Sequence, residues 1–316
     1  MRSQGTGQTA LRTLSAGRTA RRVAAVDIGT NSTRLLIADV TTDGLVDVER
    51  VENVTGLGRG VDSSGRLSPA AIERTTRILG CYGRRIREAG AKAARGVATS
   101  AARDATNRDE FVEDARRALG FRPDIIDGEE EARLVFAGAT GGMPDPGATV
   151  VVDIGGGSTE VVTDAGGVST DIGSIRLTER CLPDHPASGR DLGAARREAT
   201  RVMGAADLPR RSVAMGAAGT WTSLAAMQLG LDTYDSHEVE GTTLELEELM
   251  QLVAWLGSLS LEEKQAIPSL DPERAPIILG GAVVAETSLR LLGLRRITVT
   301  CHDILDGVCL SMVSGR

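Results

Sequence analysis

The chain has 316 residues, 41% hydrophobic and 25% charged, with a formal net charge of −7. That length suits two domains of ordinary size, and the composition excludes both a disordered polyanion and a membrane protein, since the apolar run at 277–285 is far short of the ~20 residues a bilayer span needs. The first 22 residues carry five arginines and no apolar segment follows them, so no secretory signal is read and the expected compartment is the cytoplasm.

Residues 1–22, with Arg2, Arg12, Arg18, Arg21 and Arg22, read as a basic disordered tail. The chain then repeats itself. Val26-Asp27-Ile28-Gly29-Thr30-Asn31-Ser32-Thr33 returns as Val152-Asp153-Ile154-Gly155-Gly156-Gly157-Ser158-Thr159, with six of eight positions identical at an offset of 126 residues. Each copy lies between apolar β-rich runs, 23–26 and 35–40 in the first, 149–152 and 160–163 in the second, which predicts strand, tight polar turn, strand. Two related lobes follow, at 23–141 and 142–316, divided by the turn cluster Gly141-Gly142-Met143-Pro144-Asp145-Pro146-Gly147.

In the first lobe the pattern predicts a strand at 45–54 and a helix opening at Ser68-Pro69 and running to about 89. A strand at 96–99, a helix at 108–119, a strand at 124–127 and a helix from Gly128 follow. The second lobe adds a strand at 168–172, helices at 191–203 and 244–256, and a strand at 212–215 leading into Gly216-Ala217-Ala218-Gly219-Thr220 and a helix. A last strand at 297–300 precedes a terminal helix from about 303, which could pack back on the first lobe. The class is α/β.

Scarcity narrows the chemistry. Lys92 and Lys264 are the only lysines, and neither stands in G-x-x-x-x-G-K-[ST], which excludes the usual phosphate-loop NTPase. Seven aromatic residues cannot furnish stacking platforms for single-stranded nucleic acid. Cys81, Cys181, Cys301 and Cys309 lack C-x-x-C spacing and read as reduced packing residues, and His302 reads as part of a local polar cap.

The repeated turns suit phosphate. Gly155, Gly156 and Gly157 have no Cβ, so their amides can form a nest around phosphoryl oxygens, with Ser158 and Thr159 adding hydroxyls. Asp27 and Asp153 would repel phosphate alone, so their placement implies a divalent cation. Taken singly, such a turn is a hairpin closure. Two copies in matching contexts point to function. Thr99, Ser100 and Arg103, at a strand-to-helix junction, are candidates to meet an anion, and Arg34 is another.

Asp127-Gly128-Glu129-Glu130-Glu131 places three acids at a helix start, a common complement to the helix dipole. At ~100° per residue, Glu131 falls on the stripe of Leu134, Val135 and Gly138, whereas Glu129 points the other way. A carboxylate on that stripe is desolvated, its pKa rises, and it becomes a better general base near neutral pH.

These motifs resemble the exopolyphosphatase/guanosine pentaphosphate phosphohydrolase family, in its short two-domain form, from about Val23 to the C-terminus. The resemblance rests on Ala25 to Ser32, on Gly96-Val97-Ala98-Thr99-Ser100-Ala101-Ala102-Arg103, on Gly128-Glu129-Glu130-Glu131-Ala132-Arg133-Leu134, and on Asp153 to Glu160. It implies a two-lobed ribonuclease H-like fold of the actin, Hsp70 and sugar-kinase superfamily, with the active site in the interlobe cleft. It also implies hydrolysis of a terminal phosphoanhydride with Mg²⁺, or Mn²⁺ in its place. Glu131 is then the catalytic base; Asp153, Glu160 and Asp27 serve the metal. Thr30, Asn31 and Ser32 bind phosphate with Gly155, Gly156, Gly157 and Ser158, and Gly216, Gly219 and Thr220 form a further loop of the second lobe. Longer members carry an additional C-terminal helical region, so a preference for short polyphosphate is expected here, with a homodimer as a substitute groove and neither nucleic acid nor membrane as partner. The alternative within the family is guanosine pentaphosphate hydrolysis; polyphosphate:ADP phosphotransfer and a non-catalytic nucleotide sensor stand behind it.

Overall fold

The computed structural model describes residues 20–42, 44–143 and 145–313; Arg2, Arg12 and Arg18 of the basic segment and Pro144 of the boundary cluster lie outside them. The first strand, β1 (Arg21–Ile28), starts earlier than the sequence predicts, because Arg21 and Arg22 belong to it and not to a tail. Arg22 is held by Asp39 on the next strand at 2.8 Å and by the carbonyl of Ala89. β1 pairs antiparallel with β2 (Ser32–Thr41), and β2 with β3 (Gly44–Val54). After α1 (Val61–Ser64) and α2 (Pro69–Glu88), β4 (Ala93–Ala98) joins β1 in parallel. Then α3 (Ser100–Asp104) and α4 (Arg108–Leu119) lead to β5 (Asp124–Ile125), parallel to β4, and α5 (Gly128–Ala139) follows. Local chemistry sets the helix starts. Ser68 accepts from the Ala71 N–H with Pro69 at the first position of α2, and Asp127 accepts from the Glu130 N–H at the head of α5.

The second half opens with β6 (Thr149–Ile154), β7 (Thr159–Thr163) and β8 (Gly166–Thr170), followed by α6 (Ser174–Cys181) and α7 (Gly189–Gly204). Next come β9 (Val213–Ala217), α8 (Ala218–Gln228), α9 (Ser236–Val239), β10 (Thr243–Glu245), α10 (Leu246–Ser258) and α11 (Leu261–Gln265). The described chain ends with α12 (Ile278–Leu292), β11 (Arg296–Val299) and α13 (Ile304–Ser311). The sheets run β3-β2-β1-β4-β5 and β10-β11-β9-β6-β7-β8. Without β10, the second order is the first one again, and β6 pairs with β9 in parallel as β1 does with β4. The repeated motif is therefore a repeated topology.

Two expectations change. Periodicity gives no sign of α12, because this helix is buried on nearly every side and so shows no single apolar stripe against a polar face. The 216–220 segment is not a loop: β9 runs through Gly216 and Ala217, and α8 starts directly at Ala218, which takes a φ of 70°.

Each sheet packs its own core, around Leu79, Tyr82 and Phe111 in the first and around Trp221, Leu279 and Val283 in the second. A third apolar layer joins them. Val23, Ala25 and Leu36 from the first sheet meet Val151 and Ala217 from the second, with Leu134 and Val135 of α5 and Ile304, Leu305 and Val308 of α13 between. The terminal helix thus packs back on β1 and β2. α5 and α13 cross at two glycines, where a Cβ on Gly138 would overlap the Asp303 carbonyl oxygen and one on Gly307 that of Leu134. This crossing sets Glu131 and Asp303, each near the start of its helix, beside the ends of β1 and β6. Among the described residues, no helix is long and apolar enough to cross a membrane.

Candidate active site

Both hairpin turns close tightly. The Gly29 N–H donates to the Ser32 carbonyl at 2.9 Å, and the Gly155 N–H to that of Ser158 at 3.1 Å. The turns meet face to face, close enough that a Cβ on Gly156 would lie 3.1 Å from the Asn31 nitrogen and one on Gly157 3.0 Å from Thr30 Oγ1. A side chain at either position would crowd the facing turn.

Between the turns lies a cavity of about 70 Å³. Asp27, Thr30, Asn31, Ser32, Thr99 and Glu131 line it from the first half; Asp153, Gly155, Gly156, Gly157, Ser158, Glu160, Gly219 and Thr220 line it from the second. Asn31 is the telling side chain: it is buried, and neither its Oδ1 nor its Nδ2 has a hydrogen-bond partner. An orphaned buried amide calls for a partner, and the cavity is the space it faces.

Four sequence candidates stand off the cavity wall. Ser100 packs behind Gly157, and Arg103 sits beyond Glu131, donating to its Oε2 at 3.0 Å. The Thr159 hydroxyl is committed to the Ile172 carbonyl at 2.6 Å, and Gly216 lies under the Trp221 ring. Arg34 does reach the cavity, but it clamps carboxylates: Nε and Nη2 donate to Asp27 Oδ2 at 3.0 and 2.7 Å, and Nη1 donates to Asp303. Asp27 Oδ1 is left buried without a partner. His302 is part of a polar cap, its Nδ1 2.9 Å from Asp306 at the capped start of α13.

The carboxylates are electrostatically crowded. Burial pushes Glu131 up to about 7, with Arg103 opposing the rise. Burial likewise takes Asp153 up to about 8 against the pull of Arg34, with Asp303, Glu131 and Asp27 adding to the rise. Glu160 is raised well above the carboxylate range by burial and then by Glu131 and Asp153, although the Ser169 hydroxyl donates to it at 2.7 Å. Asp27 is raised by burial despite Arg34. So much suppressed negative charge in one place calls for a positive partner.

Residues 36–315 match the profile of the Ppx/GppA phosphatase family. Exopolyphosphatase 2 of Mycobacterium tuberculosis is 40% identical over 315 residues, covering 92% of this chain and 98% of the relative. The chain belongs to the Ppx/GppA phosphatase family. Its structure agrees: the crystal structure of an exopolyphosphatase-like protein superposes with a TM-score of 0.85 at 33% identity, over 93% of this chain and 98% of the other. The Aquifex aeolicus family member gives a TM-score of 0.79 at 28% identity, with the same coverage. The chain is a Ppx/GppA hydrolase with the family's two-sheet α/β fold.

A divalent cation fits the residues of this Ppx/GppA site. Among the described residues no three His, Cys, Asp or Glu side chains gather as a metal-binding set. A magnesium ion needs fewer, since it keeps several waters and takes one or two carboxylates plus substrate phosphates. Asp153 and Glu160 face each other across β6 and β7, and Asp27 Oδ1 is free nearby.

Three members of the site gave no sequence signal. Arg274, from the segment before α12, donates to Ser32 Oγ at 3.2 Å and pairs with Glu52 of β3. It lies so close to Gly219 that any Cβ there would overlap its guanidinium. Burial would raise Glu52, but Arg274 and Arg34 outweigh it and hold the carboxyl below its usual value. Asp303 is the third.

Proposed function

We propose that the chain is an exopolyphosphatase, releasing orthophosphate from the end of inorganic polyphosphate. Water adds to the terminal phosphorus, the bridging P–O bond breaks, and the chain departs one unit shorter. The observation that carries this reading is the position of Glu131, a buried carboxylate with a raised pKa on the wall of a small cavity that also presents the unpaired Asn31 amide. Glu131 takes the proton of the attacking water. Thr30, Asn31, Ser32 and Thr99 hold the terminal phosphoryl oxygens from one side, Gly155, Gly156, Gly157 and Ser158 from the other. Ser100 and Thr159 support these turns from behind, Gly219 and Thr220 close the second-half wall, Gly216 seats it on Trp221, and Arg103 orients Glu131. Asp153 and Glu160 would hold Mg²⁺, or Mn²⁺ in its place, with Asp27 serving it through water; when bound, the ion supplies charge to offset that of the phosphate.

The repeated strand order supports reading the halves 23–141 and 142–316 as ribonuclease H-like lobes of the actin, Hsp70 and sugar-kinase superfamily. On this reading the enzyme works in the cytoplasm as a homodimer, on polyphosphate rather than on nucleic acid or at a membrane. Four unpaired cysteines fit a reducing compartment. Orthophosphate release should be followed in parallel on polyphosphates of defined length and on guanosine pentaphosphate, with and without Mg²⁺. Metal-dependent release from polyphosphate is expected, fastest on short chains; turnover of the nucleotide alone would overturn the assignment.

A further inference from the structure

A groove of about 780 Å³ runs behind the candidate active site, between the start of α5 and the β7–β8 hairpin. It is separate from the cavity that holds Glu131, yet only one layer of side chains divides them. Two hydrogen-bonded pairs form that layer, and each pair has one member in each space. Glu131 lines the cavity while its partner Arg103, at 3.0 Å, lines the groove. Glu160 lines the cavity while its partner Ser169, at 2.7 Å, lines the groove. At other residues, none of which lines the groove, the cavity shares Glu52 and Arg274 with a surface cavity of about 350 Å³, and Arg34, Glu52, Ala218 and Gly219 with another of about 340 Å³.

This arrangement has a direction. A chain entering past Arg274 and Glu52 puts its terminal phosphoryl group against Glu131, with the rest of the substrate filling the way it came. The orthophosphate formed there is shut in by the shortened chain. We propose that the groove is the exit for orthophosphate, and that the Arg103–Glu131 and Ser169–Glu160 pairs are its door. The inference rests on the hydrolysis assigned above to Glu131. It lets the enzyme discharge product without releasing substrate, so the chain can advance by one unit and react again.

The charge of the groove fits passage rather than storage. Arg103 at the inner end and Arg211 along the wall can attract an anion, but Glu129, Asp171 and Asp207 line the same space. Walls of mixed sign would bind a long polyanion poorly. A small phosphate dianion, handed off by Arg103, meets no site that would retain it.

Ala165→Trp and Glu129→Trp each set an indole at an exposed position on the groove, away from the cavity. Rapid-quench measurement of the first turnover on a defined polyphosphate should show chemistry within about twofold of wild type for both variants. Steady-state orthophosphate release should fall about fivefold or more, leaving a burst of one equivalent per site, because product release has become limiting. Product gels should change from progressive shortening of engaged chains to scattered lengths. Unchanged steady-state rates in both variants would overturn the exit, as would an equal slowing of the first turnover, which would mean that the groove serves the chemistry itself. If the wild type releases no orthophosphate from polyphosphate, it is the exopolyphosphatase reading that fails, and the same burst test on the phosphoanhydride actually cleaved decides the exit.

Discussion

Asp153 stands directly across the β6–β7 pair from Glu160, at the register where Asp27 faces Arg34 on β1 and β2. One copy of the repeated hairpin therefore neutralises its aspartate internally, and the other sets two carboxylates against each other. The asymmetry gives the second hairpin the stronger need for a cation.

That need should be visible in stability. Asp153, Glu131 and Glu160 all have folded pKa values above their ordinary ones, so the metal-free folded state binds more protons than the unfolded chain from the ordinary carboxylate range up to about 8. Stability from these groups is present below their unfolded pKa values and is lost as pH rises through the folded ones. Thermal unfolding in chelator should give a Tm that falls from about pH 5 to about pH 8.5, and Mg²⁺ should restore most of the loss at the alkaline end. A metal-free Tm that climbs across this range would contradict the placement of the three carboxylates.

Glu131→Gln keeps the shape of the side chain and removes the carboxylate proposed as the base. We expect kcat to drop about 10²–10⁴-fold with KM changed little. In the wild type, activity should rise with pH as Glu131 loses its proton, with an acid limb at about 7 that a bound cation moves down and a bound phosphate chain moves up. Replacing Arg103 by Met removes a charge that lowers the Glu131 pKa, so the limb should move to higher pH. Turnover of Glu131→Gln at the wild-type rate would remove the residue from the chemistry.

The unpaired amide of Asn31 separates binding from folding. A hydrogen bond to a charged group is worth about 1.5–3 kcal/mol, so Asn31→Ala should raise KM about 10- to 100-fold. Because the amide has no partner in the folded protein, its removal should leave Tm unchanged or higher. A loss of stability with unchanged KM would show that Asn31 serves the fold instead.

Much of this was legible in the sequence because it is local. The turn glycines, the Ser68 cap and the inward face of α5 each follow from residues a few positions apart, and the structure places them as the spacing predicts. What escaped is made by distance. Arg274 meets Glu52 and Ser32 from more than 200 positions away, and Asp303 reaches Arg34 only because α13 returns to the first sheet. Arg34 and Thr159 looked available in sequence and are occupied in the fold, by two aspartates and by the Ile172 carbonyl. α12 hid for the opposite reason, since burial on nearly every side erases the polar face by which periodicity finds a helix.

Two helical glycines give a test of how α13 holds the site. Gly80, within α2, has nothing within 4 Å of where a Cβ would sit, so Gly80→Ala should gain about 0.5–1 kcal/mol from helix propensity alone. Gly307, within α13, has the Leu134 carbonyl of α5 in that place, and Gly307→Ala must push the two helices apart. The cost should be about 1–3 kcal/mol or more. The displaced helix also carries Asp303, which holds Arg34 and through it Asp27, so kcat should fall as well. Denaturant unfolding of both variants, read with their activity, checks the pair: Gly307→Ala with wild-type stability and turnover would mean that α13 can slide without disturbing the site.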